Sequence, residues 1–248
     1  HRFQKFSVFC LTSAFAYLTN LIDLATIMNR IGVALTRDEA AVMQLFAGAA
    51  DHLPQEKVPA FLYGLFAYVT PLFNLIPAIT VTLGVSALPI ITTRWALGER
   101  KRVAEQCVLV LKLAALAAIP AGMGLFALSE PILRLLYFAR PEEAALAAPL
   151  LRSMGFAAIL VGITTPMASL LQALGRADLP LKLMVAGAVV KICCNWFLVA
   201  VPSLNIYAAP VGTLLCYLVV LVGGAIALGR VIGTPLKLHR VLIKPLIK

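Results

Sequence analysis

Long apolar runs dominate this chain, and their length decides the solvent it is built for. A helix needs about 20 apolar residues to cross a hydrocarbon layer about 30 Å thick. Six stretches reach that length, roughly 6–28, 60–93, 104–128, 143–173, 180–201 and 206–229. Only 13% of the residues are charged and 61% are hydrophobic, with a mean hydropathy of +0.95. Soluble domains carry about 25% charged residues, so this chain has too few polar groups to cover a water-exposed surface. The expected fold class is therefore all-α, a polytopic membrane helical bundle of about six transmembrane helices. It occupies residues 1–230, followed by a basic connector at 231–248. In lipid such a bundle satisfies its own backbone hydrogen bonds, which an open loop or sheet edge cannot do.

The connections between the runs supply an orientation. Thirteen Lys and Arg residues lie on the side of the N-terminus, including Arg94, Arg100, Lys101, Arg102, Arg176 and Arg230. Six lie on the opposite side: Arg30, Arg37, Lys57, Arg134, Arg140 and Arg152. Positive residues favour the cytoplasmic side, so both ends of the chain are expected in the cytoplasm of a bacterial inner membrane. The segment "RDEAAVMQLFA" (37–47) on the far side reads as a short amphipathic surface helix.

Composition and spacing also exclude several function classes. The net charge of +10 falls in short clusters between apolar runs, so it marks membrane topology and implies no nucleic-acid partner. Cys10, Cys107, Cys193, Cys194 and Cys216 are odd in number, all lie inside apolar runs and contain no C-x-x-C, so neither a disulfide framework nor a zinc site is favoured. No phosphate-binding loop, nucleophile–base pair or metal spacing occurs. An enzyme is not expected, and no cofactor is implied.

Polar groups inside the runs then become the candidates for function. Asp23, Lys112 and Lys191 fall deep in their spans, where each costs roughly 2.5–3.5 kcal/mol unless paired or hydrated. Thr12, Thr19, Asp23, Thr26 and Arg30 follow spacings of 7, 4, 3 and 4, which puts them on one helix face, with Asn20 beside Asp23. Such a stripe suits the wall of a cavity, or a seam of hydrogen bonds to a neighbouring helix. Asn195 follows Lys191 by one turn. The two lysines suit an anionic ligand, or one of them partners Asp23. Asn74 lies between Pro71 and Pro77, and Thr165, Ser169 and Gln172 share a face beyond Pro166. Pro71, Pro77 and Pro166 are candidate hinges, because a proline-broken helix exposes carbonyls and can flex. The plainer alternative is that Ser and Thr in such helices satisfy their own backbone.

Several of these stretches carry a resemblance. "TNLIDLATIMNRIG" (19–32) and "LYGLFAYVTPLFNLIPAITVTLGVSALPIIT" (62–92) are similar to the seventh and eighth helices of the stage V sporulation protein B and polysaccharide-exporter group. "LSEPILRLLY" (128–137), "PMASLLQALGRADLPLKL" (166–183) and "KICCNWFLVAVPSLNIYAAPVGTLLCY" (191–217) extend the likeness in order along nearly the whole chain. That group lies within the multidrug/oligosaccharidyl-lipid/polysaccharide exporter superfamily and is related to the lipid II flippases. The resemblance implies one lobe of a two-lobed transporter of twelve to fourteen helices, here helices seven to twelve. An N-terminal lobe of the same protein would complete it. The implied substrate is a lipid-linked oligosaccharide or peptidoglycan precursor, an undecaprenyl-pyrophosphate-linked sugar carried across the membrane by alternating access. A coupling ion, H⁺ or Na⁺, is a possible further partner. By the same likeness Asp23 and Arg30 match an acid and a base common in the group. Tyr207 departs from it, standing where the group has glycine. The alternatives are a multidrug or organic-cation antiporter, with Asp23 as the exchanging acid, and a membrane assembly factor that transports nothing.

Overall fold

The computed structural model describes residues 23–46 and 54–233. The described residues are helical with short connections. Helix α1 is described over 23–37, followed by α2 (Glu39–Leu45), α3 (Val58–Ala96), α4 (Arg100–Ala127), α5 (Ser129–Leu136), α6 (Pro141–Ala173), α7 (Asp178–Leu198) and α8 (Ala209–Ile232). Among the described residues five helical segments are long and apolar enough to cross a membrane: Gln55–Ala96, Arg100–Ala127, Pro141–Ala173, Asp178–Leu198 and Asn205–Ile232. Most of the first expected span, 6–28, lies outside the described residues, as does the connector from 234 onward. We call the end of the bundle where α4 and α7 begin the near end, and the end where α6 and α8 begin the far end.

Helix α6 is the central post. It packs against α3, α4, α5 and α8, and small residues set how closely they come. A side chain at Gly155 would meet the Gly122 carbonyl of α4 at 2.7 Å, and one at Gly162 would meet Ala118 at 2.7 Å and Ile76 of α3 at 2.8 Å. Gly84 of α3 lies against Pro166 and Ser169 in the same way. Helices in lipid gain little from burying apolar surface, so close backbone approach at small residues supplies the packing. Pro166, a candidate hinge, is buried at this crossing.

The prolines of the second span do not break it, which corrects the expectation of a proline-broken helix. Helix α3 runs for 39 residues with Pro71, Pro77 and Pro89 inside it, about 58 Å at 1.5 Å per residue. Each proline removes one hydrogen bond to the carbonyl four residues back, at Ala67, Phe73 and Val85. These losses fall in separate turns, and flanking α4 and α6 hold the helix in place. Threonine hydroxyls also bond back to the helix nearby, Thr70 to the Phe66 carbonyl at 3.0 Å and Thr92 to the Leu88 carbonyl at 2.9 Å.

At the far end α2 is capped by Asp38, whose side chain accepts from the Ala41 amide at 3.0 Å. Phe46 beyond it stacks on Tyr207, with ring centroids 5.5 Å apart. The Tyr207 hydroxyl donates to the Leu146 carbonyl of α6 at 3.1 Å. The tyrosine is thus directed at α6 and α2, so α7 and α8 still meet closely through Gly187 and Gly212. Also at this end, Tyr68 of α3 donates to Glu143 of α6, and Tyr137 donates to the Tyr68 carbonyl at 3.2 Å.

Candidate functional site

The site begins with α1. Asp23, Ile27, Ile31 and Ala34 recur at helical spacing and are buried, so one face of α1 packs inward with a carboxylate on it. Helix α7 presents Lys191, Asn195 and Trp196 to that face. The Lys191 ammonium donates to Asp23 Oδ2, and the Asn195 amide nitrogen approaches Asp23 Oδ1 at 3.4 Å. Two turns along α1, Arg30 Nε donates to the Trp196 carbonyl at 2.9 Å, and its guanidinium lies 4.3 Å from the centroid of the Trp196 ring. Lys191 and Asp23 are both largely buried, at 12% and 6% side-chain exposure. Paired burial of this kind is the condition under which membrane charges are tolerated. Asp23 is the one buried carboxylate among the described residues.

A cavity of about 310 Å³ opens beside the pair, walled by Asp23, Tyr63, Phe66, Thr70, Pro71 and Asn74. Ala67 also lines it, and its carbonyl is the one that Pro71 leaves without a donor. Asn74 forms a wall shared with a second cavity of about 290 Å³ between α3, α6, α7 and α8. That one is mainly apolar and receives Thr164, Thr165, Met167, Leu183 and Tyr217. Pro77 lines it as well. A polar corner at Asp23 is thus joined through Asn74 to an apolar chamber nearer the opposite end.

The structure brings together Asp23, Lys191, Asn195, Arg30 and Asn74 from the sequence candidates. Thr26 sits on the same helix with its hydroxyl 3.4 Å from the Asp23 carbonyl. Thr19 and Asn20 lie outside the described residues. Lys112 stands apart: it is half-buried on a flank of α4, lines neither cavity, and makes no hydrogen bond or ion pair among the described residues. Tyr63, Ala67 and Thr70 were not singled out from the sequence. Their spacing to Asn74 (i, i+4, i+7, i+11) is a helical stripe like that of α1, and this stripe is the signal that could have found them. Among the described residues no group of three His, Cys, Asp or Glu is placed to hold a metal ion.

Comparison with known proteins places this arrangement. The family model MatE matches residues 52–197, more than half of the chain, taking in α3 to α7 with Lys191 and Asn195 but not α1 with Asp23. No curated protein and no solved structure matches the chain. The match takes in four of the five described membrane-length helices, all but α8, and part of the lining of each cavity, and on that ground the chain belongs to the MatE family, membrane transporters of the multidrug/oligosaccharidyl-lipid/polysaccharide exporter superfamily.

Proposed function

We propose that this chain forms a lobe of a flippase for lipid-linked oligosaccharide or peptidoglycan precursors. The ligand combines an anionic pyrophosphate, a polar sugar and a long polyprenyl tail. The observation that carries this reading is the neutralisation of Asp23 by Lys191. An antiporter exchanging organic cations for H⁺ or Na⁺ needs a carboxylate open to that exchange, and here the one buried carboxylate among the described residues is already partnered. Lys112 on α4, by contrast, is a cation within its span that makes no hydrogen bond or ion pair among the described residues. A polar corner continuous with an apolar chamber also suits a ligand with a polar head and a long tail. An N-terminal lobe facing this one would complete the path, and Pro71, Pro77 and Pro166 would serve as points of adjustment in alternating access.

The test is translocation by the full-length protein in liposomes containing a fluorescent undecaprenyl-pyrophosphate sugar. Loss of fluorescence to an impermeant reductant reports its arrival in the opposite leaflet. Protein-dependent translocation is expected, and Lys112→Met should slow it several-fold while leaving the melting temperature unchanged, because Lys112 holds nothing in place. Proton-driven export of an organic dye with no movement of the lipid-linked sugar would overturn the proposal in favour of the antiporter.

A further inference from the structure

Arg152 occupies an unusual position. It lies in the twelfth residue of α6, within a helix long and apolar enough to span the membrane. Its side chain is exposed, and it makes no hydrogen bond or ion pair among the described residues. It lines a groove of about 290 Å³ on the flank of the bundle with Phe126, Phe156, Pro210, Val211 and Leu214. This groove is separate from both cavities described above, and it opens between α4, α6 and α8.

Its depth follows from the helix ends. Phe126 belongs to the last turn of α4, and Pro210 and Val211 to the first turn of α8. Arg152 is therefore level with the far ends of its two neighbours, while α6 continues for eleven residues above it, about 16 Å. Helices α4 and α8 have 28 and 24 residues, about 42 and 36 Å. Both exceed the hydrocarbon core of about 30 Å, and α4 reaches the roughly 40–45 Å measured to the headgroups. The guanidinium thus stands at headgroup level. Below it, one turn deeper on α6 and α8, come Phe156 and Leu214. The Phe126 and Phe156 rings pack 4.9 Å apart, and the close contact of Gly122 with Gly155 brings α4 against α6 beneath them.

We propose that this groove is a binding site for one anionic phospholipid of the far leaflet, with its phosphodiester on Arg152 and an acyl chain along Phe156 and Leu214. The sequence of groups matches one lipid molecule: a cation at headgroup level and apolar wall below it. A guanidinium offers paired N–H donors to a phosphate in a way an ammonium does not. The described groove contains no carboxylate to take that role. A net-negative lipid is favoured over a zwitterionic one because no acid there would receive the headgroup's own cation. Ser153 does not compete for the phosphate, since its hydroxyl is turned back to the Pro149 and Leu150 carbonyls at 2.9 and 3.0 Å. The inference stands on the groove alone and is independent of which substrate is transported.

Native mass spectrometry of the full-length protein with phosphatidylglycerol or phosphatidylcholine tests it. The unaltered protein should retain one phosphatidylglycerol selectively, and Arg152→Gln should weaken that binding about tenfold, the loss of one charge-assisted contact, without affecting phosphatidylcholine. Val211→Trp, which fills the groove and keeps the arginine, should displace the lipid equally. Both changes are at exposed positions, and unchanged melting would show that the variants are folded. Equal lipid retention by all three proteins would overturn the site. So would competition by inorganic phosphate as effective as by the lipid, since that would leave the apolar wall without a role. Displacement by an equal concentration of lipid-linked pyrophosphate would give the groove to transported substrate and overturn the phospholipid assignment.

Discussion

Asp23 and Lys191 lie 168 residues apart in the chain and share a proton-bearing contact inside the bundle. Taking two opposite charges out of water costs several kcal/mol per ion, and each offsets the other only while both are present. Asp23→Asn or Lys191→Met should therefore destabilise the fold by about 3–5 kcal/mol, seen as a lower melting temperature in detergent. The double replacement should recover most of that loss, because it removes both charges together. If Asp23→Asn alone melts like the unaltered protein, the pair contributes nothing to holding α1 on α7. Transport by the stable double variant then separates a structural role from a functional one. Asn195 belongs to the same unit: its amide nitrogen faces Asp23, and a side chain at Gly212 would strike its carbonyl oxygen at 2.6 Å.

Among the helices, α6 tolerates least change along its small-residue face. Gly155→Ala puts a Cβ 2.7 Å from the Gly122 carbonyl and 3.0 Å from the Phe126 amide. Both are backbone atoms, so α4 must move away. Overpacking of this kind costs typically 1–3 kcal/mol. Gly64→Ala in α3 meets nothing within 4 Å and should be neutral or stabilising by up to about 1 kcal/mol, since alanine is the better helix former. Unfolding of the two variants side by side measures the contrast, and equal melting would show that α4 and α6 do not depend on the close crossing. The prolines illustrate the opposite lesson. From sequence they read as breaks, yet α3 continues through all three because the lost bonds are dispersed and its neighbours hold it.

At the scale of the molecule, orientation rests on charge at the two ends of the bundle. Seven of the thirteen near-side basic residues are in the described part: Arg94, Arg100, Lys101, Arg102, Arg176, Lys182 and Arg230. The turn at Gly98, with φ of +76°, joins α3 to α4 at that end, and Leu204 is exposed at the other. On a background with the native cysteines replaced, Gly98→Ala is the control for backbone strain, and Leu204→Cys should react with an impermeant maleimide from outside intact cells. A cysteine at Gln55, beside the start of α3, should behave like that at Leu204, whereas one at Lys101 should react only after the membrane is opened. The reverse pattern would invert the topology.

The apolar runs by themselves determined that the chain is a polytopic membrane bundle of helices. The bilayer imposes a length and a hydrogen-bonding rule that any one segment must satisfy alone. The α1 stripe likewise set Asp23 and Arg30 on one helix face, because helical period is a local property. Which lysine meets Asp23, why Lys112 stands apart, and how Arg152 comes to share a groove with the ends of α4 and α8 were decided only in the tertiary structure. Those relations are distances between helices far apart in the chain, set by where glycines let backbones approach, and no local period encodes them.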